Sequence, residues 1–294
     1  MCPVNSLIQQ LIATGPVITD GALGTELQAR GLKPGELPDL WNLTRPELVK
    51  QVIHAYVEAG SQVVLTATFR SNRITLSQHG LAEKGAELNR RGVEIARCAA
   101  KGRAVVFGSM GPSGKLLFSG EVSSEEVSSA FFEQANAMAE AGADGIVVET
   151  MSDLEEAKLA TEAAARTGLP VVACMVFDSG RNKDRTMMGN TPEEAARELA
   201  AAGAVVVGAN CGQGITGYIP ICRRLRAATD LPVWIKPNAG LPELVDGRTI
   251  YRTNPVEFAA HVPAMVEGGA NFIGGCCGTN PDFIRAIAAI LRTR

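Results

Sequence analysis

The sequence is poor in several features that mark common classes of protein. Aromatic residues make up only 5% of the 294 residues, and histidine occurs three times. The net charge is −3, and lysine and arginine form no cluster, so neither a base-stacking surface nor a basic face is predicted. No apolar run approaches the roughly 18 residues that a membrane helix needs. We therefore expect no nucleic-acid partner and no membrane insertion.

The N-terminal stretch also lacks the features of an export signal. Residues 1–15 contain an apolar patch but neither a basic start nor a long apolar core. The seven cysteines are an odd number spread over a long chain, which is not the pattern of a secreted disulfide framework. These observations predict a cytoplasmic protein, in which clustered cysteines indicate metal binding or catalysis.

What the sequence does contain is a regular alternation of short β-branched runs with longer segments of helical period. The predicted strands are 16–20, 61–68, 104–110, 145–150, 170–177, 204–211, 232–238 and 271–277. Their near-continuous apolar character fits parallel strands buried on both faces. Eight strand–helix units match a (β/α)8 TIM barrel of about 250 residues. We predict this α/β fold, as one domain over residues 1–294, in preference to an open doubly wound sheet.

One segment departs from the repeat. Residues 240–254, which follow the seventh predicted strand, contain the dipeptide Asp246-Gly247. This dipeptide is a strong signal for a tight β-hairpin turn. A small β-excursion is therefore predicted near 240–254.

The segment after Cys211 has the spacing of a nucleotide-binding motif. The sequence GQGITG follows a predicted strand and opens a helix, and Asp230 lies about 20 residues further on, as in a dinucleotide fingerprint. We disfavour this interpretation because the motif follows the sixth strand and not the first strand of a βαβ unit. Glycines are equally expected in a tight turn where another group approaches the backbone.

Three cysteines fall at the ends of predicted strands. Cys211 ends the sixth strand, and the adjacent Cys276 and Cys277 end the eighth. In a TIM barrel, functional groups collect at the carboxyl ends of strands, and even-numbered strands contribute to the same interior layers. Consecutive strand residues point to opposite faces, so the adjacent pair can share one point only if the chain leaves strand geometry between or just after them. The flanking glycines permit such a bend.

The chemistry of these thiols favours a metal site. Three thiolates with an open fourth position form a catalytic zinc arrangement, and soft sulfur ligands favour zinc over magnesium or calcium. An isolated Cys-Cys pair would equally well be a pair of small apolar fillers, but the position of Cys211 favours metal. The other cysteines are predicted to be core or surface residues: Cys2, Cys98, Cys174 and Cys222.

Further polar residues lie at strand ends. Asp20 closes the first predicted strand and Glu149 the fourth. A buried carboxylate needs a cationic partner, so two of them beside a metal suggest a ligand amine, with helix capping as the alternative for each. Backbone N–H groups around Gly108 and Ser109 can hold a carboxylate, with an ordinary glycine turn as the alternative. Asn238 is predicted to face the barrel mouth.

Three stretches together point to a known family. They are DGALGTELQARG near the start, GANC in the middle and GGCCGT near the end. In this order, on eight β/α units, they resemble the zinc-dependent homocysteine S-methyltransferases across nearly the whole chain. The resemblance implies a TIM barrel, homocysteine as methyl acceptor, and zinc bound by Cys211, Cys276 and Cys277.

The same resemblance assigns roles to the remaining residues. It implies that Asp20 and Glu149 bind the amino group of homocysteine, and that amides near Gly108 and Ser109 receive its carboxylate. These roles give the thiol a fixed orientation toward the metal.

The methyl donor is less closely defined. Residues 236–251 look more like the homocysteine module of cobalamin-dependent methionine synthase than like betaine–homocysteine methyltransferase, which suggests a methylcorrinoid such as methylcobalamin, free or on a separate corrinoid protein. S-methylmethionine and betaine are alternatives. A small cationic donor needs aromatic rings around its methyl groups, and Trp41 and Tyr218 are the few candidates. A non-catalytic zinc- or thiol-binding partner of a corrinoid protein is the alternative from another class.

Overall fold

The computed structural model describes residues 6–245 and 248–292. The β-strands are β1 Val17–Ile18, β2 Val63–Leu65, β3 Val105–Met110, β4 Gly145–Met151, β5 Val171–Met175, β6 Val206–Gly214, β7 Val233–Asn238, β8 Glu243–Val245, β9 Arg248–Ile250 and β10 Ala270–Ile273. The α-helices are α1 Ser6–Ile12, α2 Leu23–Ala29, α3 Trp41–Thr44, α4 Pro46–Ala59, α5 Arg73–Ser77, α6 Gly85–Ala100, α7 Ser124–Glu140, α8 Leu154–Ala165, α9 Pro192–Ala201, α10 Ile215–Ala228, α11 Pro255–Ala260, α12 Val262–Glu267 and α13 Pro281–Arg292. Short 3-10 turns are formed by Pro38–Leu40, Ala82–Lys84 and Leu117–Ser119.

The parallel strands close into a barrel. In the described part of the chain, eight parallel strands pair in the order β1-β10-β7-β6-β5-β4-β3-β2. The seam between β1 and β2 is closed by a parallel bridge between Thr19 and Val63, and by the Gln62 N–H, which donates to the Ile18 carbonyl at 2.7 Å. A closed sheet has no free edges. The predicted TIM barrel is confirmed, and the open doubly wound sheet is excluded.

An antiparallel hairpin follows β7. Strand β8 pairs with β9, with Glu243 opposite Ile250. The hairpin lies inside the segment 240–254, where a β-excursion is predicted. The predicted turn residues, Asp246 and Gly247, lie outside the described residues.

The barrel interior is apolar at its amino end. The Trp234 ring stacks on the rings of Phe272 and Phe107, with centroid distances of 5.1 and 6.4 Å. Fully buried Ile8 of α1 belongs to the same cluster, together with partly buried Val105 at the first position of β3. Helix α1 therefore closes the amino end of the barrel. The outer faces of the strands pack against the helices in a second, larger cluster.

Helix caps fix the position of the loops at the carboxyl end. The Ser123 side chain begins α7 and that of Thr191 begins α9, each in a capping box that satisfies free backbone N–H groups. These caps end the long loops 111–123 and 178–191, which follow β3 and β5. Over the described residues, no helix combines the length and the apolarity that a membrane span requires.

Candidate metal and substrate site

The polar site lies one layer above the apolar interior. Ser109, Glu149 and Lys236 line one cavity of about 280 Å³ at the carboxyl ends of the strands. Side chains two positions apart on a strand point to the same face. Each of these three residues comes two positions after a member of the apolar interior cluster, namely Phe107, Val147 and Trp234. The two-residue periodicity of the strands therefore places a layer of polar side chains directly above the layer of apolar side chains.

The structure brings the three strand-end cysteines together. The Sγ atoms of Cys211, Cys276 and Cys277 all lie within 4.8 Å of one another, and those of Cys211 and Cys277 are 3.9 Å apart. All three thiols are free and line the cavity. Residues 65 positions apart in the sequence thus share one point in space.

Cys211 reaches the cluster through an irregularity in β6. Its φ angle is +64°, and the register between β6 and β7 shifts between Cys211 and Gly214. A bulge of this kind re-aims a side chain at the end of a strand. A non-glycine residue with positive φ is strained, and such strain persists where the surrounding structure holds it.

Cys276 and Cys277 lie in a loop and not on the strand predicted over 271–277. Strand β10 ends at Ile273. After it, the Cys276 N–H donates to the Pro237 carbonyl at 2.7 Å, and the Ala239 N–H donates to the Cys277 carbonyl at 2.9 Å. These bonds to the end of β7 replace strand pairing, so the chain leaves strand geometry before the cysteines.

The surrounding glycines have two structural roles. A Cβ atom on Gly274 would overlap the side chain of Thr19, and one on Gly275 would overlap that of Thr279. Gly278 has φ of +82°, the left-handed region that glycine adopts without strain. Gly274 is therefore required where the loop passes close to the end of β1, and Gly275 where the loop packs on its own Thr279.

The glycines of GQGITG also have local explanations. Gly212 has φ of +59°, and a Cβ on Gly214 would lie 3.1 Å from the Gly240 backbone. Asp230, the acidic residue of the nucleotide interpretation, forms a long ion pair of 3.8 Å with Arg226 and is otherwise fully exposed. These contacts account for the motif as a tight turn beside the hairpin.

Burial and mutual proximity control the thiol chemistry. The hydrogen bond with Cys276 lowers the pKa of Cys211, but Cys277 and burial outweigh it and raise that pKa to about 12. Cys277 likewise has a pKa of about 12, because Cys276 and burial outweigh the lowering effect of Cys211. Without a cation, these thiols are protonated at neutral pH. A bound metal ion inverts this preference, because a coordinating thiol is deprotonated.

The donor set fits a zinc ion. Three soft sulfur ligands that leave room for a fourth match a catalytic zinc site. Asn238 is buried on β7, and its Oδ1 atom has no hydrogen-bond partner among the described residues. Asn238 immediately precedes Ala239, whose N–H donates to the Cys277 carbonyl. Asn238 does not belong to the residues that line the cavity.

Asp20 is held by two donors from other strands. Its Oδ2 atom accepts from the Leu65 N–H at 2.7 Å, and its Oδ1 atom accepts from the Lys236 ammonium at 2.5 Å. Asp20 is 2% exposed and Lys236 3%. Helix capping, the alternative role for Asp20, is absent, because α2 has Ala22 at its N-cap.

Glu149 is held by two side chains. Its Oε1 atom accepts from the Ser109 hydroxyl at 2.5 Å, and its Oε2 atom accepts from the Asn210 amide at 3.3 Å. Burial raises the pKa of Glu149, while Lys236 and Ser109 oppose that change. The helix-capping role falls to Asp153, which accepts from the N–H of Glu155 at the start of α8.

Lys236 was missed as a site residue by sequence reasoning. Burial lowers its pKa, but Asp20 and Glu149 outweigh burial, so the pKa is raised overall and the ammonium stays charged. The available signal was a single lysine in the apolar run PVWIKPN. Burial of a charged group is costly and needs a partner, so a lysine on a core strand marks a site.

Asn210 is a second missed residue. Its Nδ2 atom donates to the Thr150 hydroxyl, and its Oδ1 atom accepts from the Thr150 N–H, both at 2.8 Å. The same Nδ2 atom lies 3.9 Å from the Cys276 sulfur. Thr150 has φ of +63°, which is a genuine outlier for a β-branched residue. Asn210 thus contacts Glu149, the strained Thr150 of β4 and the cysteine cluster.

The residues predicted to receive a carboxylate have other contacts. Gly108 faces α7, where a Cβ atom would lie 2.5 Å from the Met138 sulfur. The Ser109 N–H donates to the Thr66 hydroxyl at 3.0 Å. The binding of a substrate carboxylate by these amides stays a prediction. The Ser109 N–H is already hydrogen-bonded to the Thr66 hydroxyl.

The aromatic candidates lie outside the cavity wall. Tyr218 is fully buried, and its hydroxyl donates to the Asn210 carbonyl at 3.0 Å. Trp41 is buried beneath the Arg45 guanidinium, which lies 4.7 Å from the ring centroid. Over the described residues, the cavity is lined by neither tryptophan nor tyrosine.

The cavity wall also carries a third buried carboxylate, that of Asp39. Asp39 Oδ1 accepts from the Arg70 N–H and the Ser71 hydroxyl, both at 2.8 Å. Burial raises the pKa of Asp39 from 3.8 to about 6, against the lowering effect of these hydrogen bonds. Arg70 also lines the cavity, and its side chain is exposed at the mouth.

The (β/α)8 barrel brings three free thiols to a charged cavity at the carboxyl ends of its strands. Comparison with known proteins identifies the family. The family described as Homocysteine S-methyltransferase matches residues 17–291. The chain therefore belongs to the homocysteine S-methyltransferase family, as its sequence motifs predict.

Relatives of this chain include two methionine synthases. The identity is 32% over 298 residues to methionine synthase of Mycobacterium leprae and 32% over 292 residues to that of Mycobacterium tuberculosis, covering 95% and 93% of this chain. Each match covers 24% of the relative, so the chain spans about a quarter of the length of these proteins.

Solved structures show the same architecture. The homocysteine methyltransferase MmuM from Escherichia coli, in its metallated form, is 26% identical with a TM-score of 0.79, over 96% of this chain and 99% of that one. The oxidized form of MmuM superposes with a TM-score of 0.82 at 26% identity, over 97% and 99% of the two chains.

Proposed function

We propose that this protein transfers a methyl group to the thiol of homocysteine, giving methionine, and that Cys211, Cys276 and Cys277 hold a zinc ion for this reaction. The observation that carries the proposal is the convergence of the three sulfurs within 4.8 Å on the wall of a cavity that also contains buried charges. Membership of the homocysteine S-methyltransferase family supports it.

The chemistry requires an ionised thiol. A free thiol has a pKa of about 8.5, so only a small fraction is thiolate at neutral pH. Zinc, when bound, supplies a charge that keeps the substrate sulfur in its nucleophilic thiolate form.

The carboxylates orient the substrate. Asp20 and Glu149 are buried and line the same cavity as the cysteines. A primary amine placed between them gains charge-assisted hydrogen bonds, which are the stronger class in a buried site. Asn210 and Ser109 fix the Glu149 carboxylate in position, so the amine and therefore the thiol adopt one orientation relative to the cysteines.

The surface around the cavity favours a large donor. Exposed apolar side chains lie on the loops that follow β3, β5 and β7, at the same end as the cavity: Leu116, Phe118, Met187, Met188, Leu241 and Leu244. Exposed apolar groups around a site are typical of a contact surface. They support a methylcorrinoid such as methylcobalamin, free or on a separate corrinoid protein, over betaine or S-methylmethionine.

One assay panel tests the proposal. Zinc-loaded protein is incubated with homocysteine and, in turn, methylcobalamin, methylfolate, betaine or S-methylmethionine, and methionine is measured. We expect methionine from methylcobalamin and none from the other three. Turnover with betaine or S-methylmethionine would keep the methyltransferase assignment and overturn the donor. Stoichiometric zinc without methionine from any donor would instead identify a non-catalytic zinc- or thiol-binding partner.

A further inference from the structure

Asn210 is a buried amide that lies between the cysteine cluster and Glu149. It is fully buried and immediately precedes Cys211 on β6. Its backbone carbonyl accepts from the Tyr218 hydroxyl at 3.0 Å, and its Oδ1 atom accepts from the Thr150 N–H at 2.8 Å. These two bonds hold the amide group in one place, so its Nδ2 atom has a fixed set of neighbours.

The Nδ2 atom of Asn210 has more acceptors than it can serve. An amide nitrogen carries two N–H donors. Three acceptors lie around it: the Thr150 hydroxyl at 2.8 Å, Glu149 Oε2 at 3.3 Å and the Cys276 sulfur at 3.9 Å. The short distance to Thr150 indicates that one donor is used there. Glu149 and Cys276 therefore compete for the other donor.

A metal ion at the cysteines changes the balance of this competition. A neutral thiol is a weak acceptor, so without metal the carboxylate is favoured, in keeping with its shorter distance. A sulfur that coordinates a metal ion is a thiolate. Hydrogen bonds to ionised acceptors are about twice as strong as those between neutral groups. Metal binding therefore draws the second N–H of Asn210 from Glu149 toward Cys276.

Glu149 loses a donor when this N–H moves. Its Oε1 atom keeps the Ser109 hydroxyl at 2.5 Å, but in the described part of the chain the protein donor of Oε2 is Asn210. A buried carboxylate oxygen without a donor is costly. The ammonium group of a ligand restores the missing bond. Glu149 therefore binds an amine more tightly when the N–H of Asn210 is directed at the sulfur.

We propose that Asn210 is a positioning residue that couples the metal site to the amine site. Metal at the cysteines raises the affinity of Glu149 for an amine. Because a coupling free energy is reciprocal, a bound amine raises the affinity of the cysteines for metal by the same factor. The inference rests on the proposed function for the roles of zinc and of the substrate amine.

Calorimetry with 2-aminobutanoate tests the coupling. This compound is homocysteine without the sulfur, so its affinity does not include coordination to the metal. Its dissociation constant is measured with zinc-loaded protein and with zinc-free, reduced protein, and the quotient of the two constants is the coupling factor. We expect the factor of the unmodified protein to exceed that of variants without the competition by about 5- to 10-fold, at the lower end of coupling between two sites.

Two variants remove the competition in different ways. Asn210→Leu has a similar shape but no donor, so the coupling factor should fall to the value set by the charge of the metal cluster alone. Thr150→Gly removes the third acceptor, so the amide serves Glu149 and Cys276 together and the factor should fall to the same value. Thr150 has φ of +63°, which glycine adopts without strain. Thr150→Gly therefore provides the test if Asn210→Leu does not fold or does not hold zinc.

Ser109→Ala is the matched control. It removes the other donor to Glu149 and leaves Asn210 and the cysteines in place, so affinity for 2-aminobutanoate should change equally with and without zinc. Cobalt(II) in place of zinc adds a spectroscopic readout of the N–H···S bond. Loss of that bond makes the sulfur a better electron donor. The sulfur-to-cobalt charge-transfer band should therefore move to lower energy in Asn210→Leu and stay in place in Ser109→Ala.

The outcomes separate this inference from the proposed function. Equal coupling factors in the unmodified protein and in Thr150→Gly, or an unchanged cobalt band in folded Asn210→Leu, would overturn the inference even if methionine is formed. Loss of the coupling in Ser109→Ala would also overturn it, since any weakening of the site would then have the same effect. Coupling that depends on Asn210 in a protein that forms no methionine would keep the inference and overturn the proposed reaction. If 2-aminobutanoate binds neither form, Glu149 is not an amine site and the inference is wrong.

Discussion

The two ends of the barrel are built from the same strands and have opposite chemistry. At the amino end, Trp234 stacks with its aromatic neighbours and Ile8 of α1 closes the interior with hydrocarbon. Two positions further along β7, Lys236 enters a cavity with Asp20 and Glu149. One strand therefore supplies folding free energy at one end and binding chemistry at the other, with a two-residue step between them.

The cysteines show the same contrast. Cys174 lies in the apolar interior on β5, and burial raises its pKa well above the ordinary value. The pKa of Cys211 is also raised. Two other thiols, however, lie close enough to Cys211 for all three to contact one ion. A thiol surrounded by hydrocarbon behaves as a small apolar residue. Three converging thiols can act as ligands, because a single cation can stabilise all of their charges.

The largest expected effect tests this contrast directly. Cys211→Ala removes one of the three ligands, so bound zinc and methionine formation should both be lost, whereas Cys174→Ala should keep both. Metal analysis of the purified variants and a methionine assay are the measurements. Stoichiometric zinc in Cys211→Ala would refute the ligand assignment. Zinc loss in Cys174→Ala would show that the two ends of the barrel are not independent.

Much of this contrast could be predicted from local patterns. Apolar runs of strand length predict the eight parallel strands, and the order of these strands in a barrel brings their ends together. That rule was sufficient to bring Cys211 to Cys276 and Cys277, which the structure has within 4.8 Å. Such predictions succeed because they depend on chain periodicity and on topology, which are properties of short segments and of their count.

The remaining site residues depend on pairings that no local pattern encodes. Lys236 and Asp20 are 216 positions apart, and only the closure of the barrel makes them partners. Asn210 precedes a predicted ligand, but its bonds to Thr150 require a left-handed backbone conformation at a β-branched residue of β4, which local preference disfavours. The loop position of Cys276 was also missed, since its bond to the Pro237 carbonyl replaces strand pairing.

A smaller effect is expected from a change at the amino end. Ile8→Ala removes a fully buried side chain from the cluster beneath the barrel, so the free energy of unfolding should fall by about 2–5 kcal/mol. Zinc content and homocysteine affinity of the folded variant should be unchanged. Denaturant unfolding and calorimetry are the measurements. A loss of homocysteine affinity at unchanged zinc content would contradict the separation of the two ends.

The smallest expected effect distinguishes the two ends by pH. The pKa of Asp39 is raised by burial from 3.8 to about 6, so the unfolded chain ionises this group before the folded protein does. Its contribution to stability is therefore lost as pH rises from about 4 to above 6.

In Asp39→Asn, Oδ1 can still accept from the Arg70 N–H and the Ser71 hydroxyl, but the charge is absent. Relative to the unmodified protein, this variant should gain about 2 kcal/mol of unfolding free energy between about pH 4 and pH 7. Denaturant unfolding at both pH values measures the gain, and the loss in Ile8→Ala should be the same at both. Equal stability differences for Asp39→Asn at the two pH values would show that this carboxylate ionises in the folded protein as freely as in the unfolded chain.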